Sequence, residues 1–354
     1  MQIIKNNTNT TIFDDFQHYF STDDVCFFDI ETTGFAADHT KLYLIGCCYI
    51  MNQKLHIIQW FNDDGESEFE IIDAFMNFVS NYKYLLHFNG DGFDLPYIEK
   101  KCNKLGINNI LSSIQSYDLY KKIKPFKALL HLDNLKLKSI EQFLGNYRED
   151  QYTGGELIDI YKQYLKHPDN QAFDALMLHN FEDLIGLVDC FKMLSLTSLT
   201  NADFKLNNLL VKSNNICFEL SIPASMPKRV IYSSNGIVLS IYKNNVVVSV
   251  PMIEDTLHLF YDNPADYYYL PAEDTAIHKS VAAYVDKSHR EKAKRENCYT
   301  NVQGIFITQL DNQLTTQYKR NYNDKFSYIM LDDTFLENQA LLFEYISYIL
   351  KNLY

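Results

Sequence analysis

The feature that most constrains the fold is an acidic pair at the end of an apolar run. Residues 25–30 form a short apolar run that is typical of a buried strand, and Asp29 and Glu31 lie two positions apart at its end. Side chains two positions apart along a strand point to the same face of the sheet. Because burying two unpaired carboxylates is costly, this pair requires cations or solvent beside it.

Two further acidic motifs follow along the chain. The second, residues 89–94 (Asn-Gly-Asp-Gly-Phe-Asp), comes after another apolar run, residues 84–88, and places Asp94 at a strand end or a helix start. In the third, His179 and Asp183 are four positions apart in an amphipathic stretch, so a helix would place them one turn apart on one face. A strand, a loop and a helix thus bring four carboxylates towards one point.

Hydrolysis of a phosphodiester bond explains why these residue types would be brought together. The reaction requires an activated water and a stabilised leaving oxygen, and two divalent cations about 4 Å apart supply both. Such ions take hard oxygen ligands. The sequence therefore predicts a two-metal site formed by Asp29, Glu31, Asp94 and Asp183, with His179 beside it.

Each motif also has a simpler interpretation. An Asp-x-Glu pair is common at strand ends, Asp94 is followed by Pro96 and is compatible with a helix N-cap, and His179 with Asp183 is compatible with a surface pair. The joint occurrence of the three motifs favours the metal site over these alternatives.

The motifs resemble those of the DEDD exonuclease superfamily of the ribonuclease-H-like fold, and more closely the YprB-type ribonuclease-H-like family. The supporting stretches within residues 20–195 are 28–34, 42–46, 88–94, 118–120, 137–145 and 179–184. The resemblance implies a 3′-to-5′ exonuclease with two Mg²⁺ or Mn²⁺ ions, in which His179 orients or deprotonates the attacking water. It also implies that Thr32, Phe93 and Asn89 contact the terminal nucleotide. The third motif departs from the pattern, because His-x3-Asp combines the spacing of the tyrosine variant with the residue of the histidine variant, which leaves the role of His179 open.

The predicted fold class is α/β: a ribonuclease-H-like mixed sheet with flanking helices, followed by a smaller β-rich α+β domain. We predict a lead segment over residues 1–20, the first domain over 21–197 and the second over 205–354. Strands are expected at 25–30, 42–50, 55–61 and 84–88, and helices at 68–82, 96–105, 134–144, 155–165 and 170–194. In the second domain, short strands are separated by turns at 233–236 and 243–245, and helices are predicted at 271–295 and 336–353.

Composition limits the class of protein. A net charge of −13 argues against tight, nonspecific binding of duplex nucleic acid. The partner that the resemblance implies is single-stranded DNA or RNA. Seven cysteines without a Cys-x2-Cys pair are typical of reduced core residues, and no apolar run approaches the length of about 18 residues of a membrane span. We therefore expect a cytoplasmic protein without a membrane association. The alternatives left open are a noncatalytic nucleic-acid-binding or adaptor protein that retains the fold, and a protein that binds a protein partner through the second domain.

Overall fold

The computed structural model of the chain describes residues 1–11, 14–309 and 314–354. These residues form two compact units. The first comprises Met1–Ser198 with Pro223–Arg229, and the second comprises Leu199–Ile222 with Val230–Tyr354.

The first unit is built on a six-stranded mixed sheet. Its strands are β1 (Gln2–Thr11), β2 (Val25–Thr32), β3 (Leu42–Met51), β4 (Lys54–Phe61), β5 (Tyr84–His87) and β6 (Gln115–Asp118). They are ordered β1-β4-β3-β2-β5-β6; the first four strands pair antiparallel, whereas β2 with β5 and β5 with β6 are parallel. This is the mixed sheet that the sequence predicts.

Two strands of this sheet were not predicted. Strand β1 occupies half of the segment for which we predict only a lead, and β6 lies where we predict no strand. Residues 12 and 13 of the lead segment lie outside the described residues, and a 3₁₀ helix, Asp14–His18, follows them. Both missed strands are at the edges of the sheet, where one side of the strand faces no partner and the apolar pattern is weak.

Helices cover both faces of this sheet. They are α1 (Glu68–Val79), α2 (Asp94–Leu105), α3 (Leu119–Ile123), α4 (Leu137–Leu144), α5 (Gly154–Lys166) and α6 (Asn170–Phe191). The short helix α7 (Thr197–Thr200) contains the point in the chain at which this segment of the first unit ends. Helices α2 and α4 end where predicted, at Gly106 and Gly145, which adopt the left-handed conformation that glycine tolerates. Helix α5 begins with a capping box between Thr153 and Glu156.

The alternation of side chains along β2 determines which helix faces the acidic pair. Cys26, Phe28 and Ile30 belong to the core cluster that includes residues of α1 and α2. Phe27 points the other way and contacts Phe191 of α6, with ring centroids 6.0 Å apart. The alternate positions 29 and 31 therefore lie on the α6 side of the sheet.

The second unit is rich in β-structure. Its strands are β7 (Lys205–Lys212), β8 (Asn215–Ser234), β9 (Ile237–Phe260), β10 (Tyr267–Leu270), β11 (Thr275–His278), β12 (Glu291–Lys292), β13 (Tyr299–Gln309), β14 (Tyr318–Lys319) and β15 (Ser327–Met330). Its helices are α8 (Lys279–Ala282), α9 (Asp333–Leu336) and α10 (Gln339–Asn352). One sheet is ordered β13-β15-β14-β9-β8-β7 and a smaller one β11-β10-β12.

Local predictions for this unit were right at one turn and wrong at two other places. The hairpin turn at Asn235 and Gly236 is confirmed, since both residues have positive φ and connect β8 to β9. The predicted turn at 243–245 is wrong, because these residues lie inside β9. The predicted helix at 271–295 is also wrong: Thr275–His278 pair with β10, and only the short helix α8 follows. Strand pairing across the sheet overrides a local helical pattern.

The predictions from composition have separate outcomes. All seven cysteines are buried and free, as expected for core residues. No helix among residues 1–11, 14–309 and 314–354 is both long and apolar enough to cross a bilayer. In the tyrosine-rich strand β10, Tyr267 stacks on Tyr261 with ring centroids 4.4 Å apart.

Candidate metal centre

The acidic pair of β2 faces helix α6, and polar side chains contact both carboxylates. Asp29 Oδ2 accepts a hydrogen bond from Asn180 Nδ2 at 2.9 Å. Glu31 Oε1 lies 3.4 Å from His179 Nε2, and Glu31 Oε2 accepts a hydrogen bond from the Tyr43 hydroxyl at 3.3 Å. Two neighbouring residues of one helix therefore reach the two alternate carboxylates of one strand.

The third motif is arranged as its spacing predicts. His179 Nε2 lies 3.3 Å from Asp183 Oδ2, one helical turn further along α6. The ligand atoms that Glu31, His179 and Asp183 offer all lie within 4.8 Å of one another. Strand and helix thus place these three side chains at one point.

Gly46 on β3 allows α6 to lie this close to the sheet. A Cβ atom at position 46 would be 2.0 Å from Asn180 Oδ1 and 2.7 Å from Leu184 Cδ1. The buried Gln59 donates from Nε2 to Asn180 Oδ1 at 3.0 Å. Since that oxygen is occupied, the Asn180 amide directs its nitrogen to the carboxylate on β2.

The second motif is a loop whose main chain is held by buried side chains. Asn89 adopts a positive φ, and its N–H donates to Asp118 Oδ1 at 2.9 Å. Asp118 Oδ1 also accepts a hydrogen bond from the N–H of Lys121, so Asp118 is the N-cap of α3. Asp94 is buried at the first position of α2, where the preceding residue, Phe93, makes no side-chain cap. The N-cap interpretation of Asp94 is therefore wrong.

Burial and mutual repulsion shape the electrostatics of the four carboxylates. Burial raises the pKa of Glu31 to about 7; the charge of His179 opposes this effect and that of Asp183 adds to it. Burial likewise raises the pKa of Asp94 to about 7, and Asp183 adds to it. The pKa of Asp29 is well above its ordinary value through burial and then through the charges of Asp183, Glu31 and Asp94.

These shifts mean that ionised carboxylates are costly at this buried site unless a cation lies beside them. Carboxylate oxygens in such a place are the ligands that Mg²⁺ and Mn²⁺ prefer. The donor set of Asp29, Glu31, Asp94 and Asp183 therefore fits divalent cations.

A loop between α4 and α5 brings two residues that the sequence did not indicate. Arg148 Nη1 lies 2.7 Å from Asp183 Oδ1, and its Nε and Nη2 donate to Glu141 at 2.6 and 2.7 Å. Asp150 Oδ2 lies 2.8 Å from His179 Nδ1. Sequence reasoning missed both residues, because a loop has no periodicity to assign a face. The only signal was a charged Arg-Glu-Asp run that begins three residues after Gly145, where α4 stops.

Gly186 on α6 makes room for this arrangement. A Cβ atom at position 186 would lie 1.5 Å from Glu141 Oε1, the oxygen that accepts from Arg148 Nη2. Two glycines, Gly46 and Gly186, thus bring neighbouring elements within reach of α6.

The three residues expected to contact substrate have different surroundings. The Thr32 hydroxyl donates to the carbonyl of Gly34 at 2.9 Å, and Asn89 is exposed. The half-buried ring of Phe93 contacts the ring of Phe35, with centroids 5.8 Å apart. Phe35 is 91% exposed and was not indicated by the sequence analysis. An exposed aromatic ring beside an acidic site is a surface on which a base can stack.

A second group of potential metal ligands lies at the second motif. His87, Asp91 and Asp118 offer atoms within 4.8 Å of one another. Lys121 Nζ lies 2.6 Å from Asp91 Oδ2, and Gly90 N–H donates to His87 Nδ1. This group has only two carboxylates, and a lysine pairs with one of them, whereas the centre at α6 draws on four carboxylates; it is therefore the weaker candidate.

Comparison with known families agrees with the fold. A family model described as the RNase_H superfamily matches residues 26–195. These residues contain five of the six strands of the mixed sheet and the helices that flank it. This region is therefore an RNase H-like domain.

Individual relatives are DNA polymerases. The chain is 24% identical over 200 residues to a DNA polymerase of Autographa californica nuclear polyhedrosis virus, an alignment that covers 47% of this chain and 20% of the polymerase. It is 34% identical over 93 residues to a DNA polymerase of Thermococcus aggregans, covering 24% and 5% respectively. The solved structure of the family B DNA polymerase from the archaeon Pyrobaculum calidifontis aligns with a TM-score of 0.40 and 14% identity over 66% of this chain and 33% of that one. The chain spans a fifth or less of the length of the two curated polymerases, from Autographa californica nuclear polyhedrosis virus and from Thermococcus aggregans.

Proposed function

We propose that the RNase H-like domain is a metal-dependent nuclease of the DEDD type, a 3′-to-5′ exonuclease acting on single-stranded ends. The observation that carries the proposal is that Glu31, His179 and Asp183 offer ligand atoms within 4.8 Å of one another, with Asp29 and Asp94 near enough for their charges to interact with this group. The match to the RNase_H superfamily and the similarity to DNA polymerases support a reaction on nucleic acid. Membership of the YprB-type family is part of the proposal and is supported by the order and spacing of the three motifs.

Asp29, Glu31, Asp94 and Asp183 would hold two Mg²⁺ or Mn²⁺ ions. When bound, the ions supply activation of the attacking water and stabilisation of the leaving oxygen. The raised pKa values of three of these carboxyls support this role, because a cation at the site would relieve the repulsion that now favours a proton.

The chain's own residues supply proton transfer and substrate contact. His179 Nε2 faces Glu31 and Asp183, so this nitrogen is the atom that would orient the water or accept its proton. Phe93, with Phe35 beside it, would contact the base of the terminal nucleotide. Thr32 and Asn89 are proposed to contact the same nucleotide. Stacking on aromatic rings requires an unpaired base, which supports a single-stranded substrate.

A cleavage assay tests the proposal. End-labelled single-stranded DNA and RNA would be incubated with the wild-type protein, Asp29→Asn and the control Asp159→Asn, with Mn²⁺ or with a chelator. Asp159 is an exposed residue of α5, paired with Lys162, and its replacement should not affect the rate. We expect stepwise shortening from the 3′ end by the wild type and the control only, and none with the chelator. Shortening that persists in Asp29→Asn or with chelator would contradict the proposal.

One observation favours a noncatalytic role. Arg148 already pairs with Asp183, so a side-chain cation occupies one oxygen of an expected metal ligand. The alternative function is therefore a nucleic-acid-binding or adaptor protein that retains the fold, with residues 205–354 binding a protein partner. Binding of the labelled strand without any cleavage in Mn²⁺ would favour this alternative.

A cytoplasmic location is also proposed, supported by the seven free, buried cysteines.

A further inference from the structure

We propose that Asp150 is a positioning residue that holds the imidazole of His179 with Nδ1 directed to the loop and Nε2 directed to Glu31 and Asp183. The catalytic consequence of this arrangement rests on the proposed nuclease function. The arrangement itself does not, because it is defined by contacts between residues of this chain.

The contact between the two side chains is short and buried. Asp150 Oδ2 lies 2.8 Å from His179 Nδ1, and the side chains are 1% and 10% exposed. An ionised carboxylate only accepts hydrogen bonds, so the hydrogen of this bond belongs to Nδ1. In the neutral ring, Nε2 then carries the lone pair. This nitrogen lies 3.4 Å from Glu31 Oε1 and 3.3 Å from Asp183 Oδ2.

Asp150 is itself held by several contacts. Its Oδ1 accepts from the N–H of Tyr152 at 3.0 Å, and its Oδ2 accepts from Lys138 Nζ at 3.1 Å. These contacts fix the plane of the carboxylate before it meets the ring. A ring that is hydrogen-bonded to a fixed partner loses rotational freedom. Restricting the ring in this way is the usual function of a residue that is hydrogen-bonded to a metal-binding or catalytic histidine.

The main chain of the loop is attached to the same helix as His179. The N–H groups of Glu149 and Asp150 donate to the two carboxylate oxygens of Glu182, at 2.8 and 2.9 Å. Glu182 is three residues after His179 on α6. The loop and the ring are therefore both attached to α6. Glu182 holds the main chain of the loop and is not counted as a fifth acidic metal ligand.

A double-mutant cycle tests the catalytic consequence. Steady-state cleavage in Mn²⁺ would be measured for the wild type, Asp150→Ala, Asp150→Asn, His179→Ala and the double variant Asp150→Ala with His179→Ala, with Asp159→Asn as the control. Asp150→Ala should lower kcat roughly 10- to 100-fold with KM unchanged, because Asp150 is buried behind the ring and contacts no substrate. Asp150→Asn should retain part of the rate, since its amide oxygen accepts the same hydrogen bond.

The cycle also separates positioning from a general structural role. In the His179→Ala background, replacement of Asp150 should cost no further activity. An equal loss in both backgrounds, or no loss in either, would overturn the inference. If Asp150→Ala fails to fold, judged by its thermal melting, the cycle is run with Asp150→Asn, which keeps the shape of the side chain.

A measurement without activity separates this inference from the proposed function. Protein labelled with ¹⁵N at histidine only would be studied by long-range ¹H–¹⁵N spectra at one pH, and the His179 signal identified by its absence from His179→Ala. The wild type should show the hydrogen on Nδ1, and Asp150→Ala should shift the signal towards a mixture of the two tautomers. An unchanged signal would refute the positioning role. A changed signal in a protein that cleaves no substrate would refute only the nuclease function.

Discussion

Glu31 leads to a prediction about how stability depends on pH when divalent cations are absent. Burial, with Asp183 adding to it, holds the pKa of Glu31 at about 7 in the folded protein, against an ordinary value of 4.5. A carboxyl with a higher pKa in the folded state binds its proton more tightly when folded. Its contribution to the free energy of unfolding is therefore fully present below about pH 4.5 and is lost as the pH rises through about 7.

The size of the effect follows from the same two values. Each pKa unit corresponds to about 1.4 kcal/mol, so the difference between 4.5 and about 7 amounts to roughly 3 kcal/mol. Glu31→Gln keeps the shape of the side chain but cannot ionise. In chelator, the wild type should therefore lose about 3 kcal/mol of stability relative to Glu31→Gln between about pH 4.5 and about pH 8.

Chemical denaturation at several pH values measures this difference. Glu99→Gln, which changes an exposed residue of α2, is the matched control and should follow the wild type at every pH. Mn²⁺ added at the upper end of the pH range should restore stability to the wild type more than to Glu31→Gln, because a bound cation replaces the proton. Parallel stability curves for the wild type and Glu31→Gln would refute the reasoning.

Two further predictions concern the histidine and the packing of its helix. His179→Ala should reduce single-turnover cleavage by about 10²- to 10⁴-fold, the usual contribution of a positioned general base. His179→Tyr should retain more activity than His179→Ala, because its ring stays one helical turn from Asp183. Equal rates for the wild type and His179→Ala would exclude this role. Gly46→Ala should lower the free energy of unfolding by about 1–3 kcal/mol, since its Cβ would lie 2.0 Å from Asn180 Oδ1. Gly154→Ala, where a Cβ meets nothing within 4 Å, is the control in the same denaturation experiment, and an equally small loss in both variants would count against tight packing at Gly46.

Much of the first unit could be predicted because its signals are local. The period of two along β2 assigned Asp29 and Glu31 to one face, and the period of 3.6 along α6 assigned His179 and Asp183 to one turn. Glycines marked the ends of α2 and α4 for the same reason, since a left-handed residue is a property of a single position. Such features need no knowledge of the rest of the chain.

The predictions failed where distant residues decide the local structure. The segment Thr275–His278 has a pattern compatible with a helix, but pairing with β10 makes it a strand. The predicted turn at 243–245 lies within a strand of 24 residues, Ile237–Phe260, for the same reason. Edge strand β1 gains its hydrogen bonds from β4, more than forty residues away along the chain.

The sequence by itself determined that Asp29 shares a face of its strand with Glu31 and that His179 shares a face of its helix with Asp183, because each pair depends on spacing within one element. Only the tertiary structure decided which side chains contact them: Asn180 contacts Asp29, Arg148 contacts Asp183, and Asp150 contacts His179. These contacts join residues that are 29 to 151 positions apart, or lie in a loop without periodicity, and they depend on how closely the elements pack. A missing Cβ at Gly46 permits that approach, and its importance is visible only once the neighbouring helix is in place.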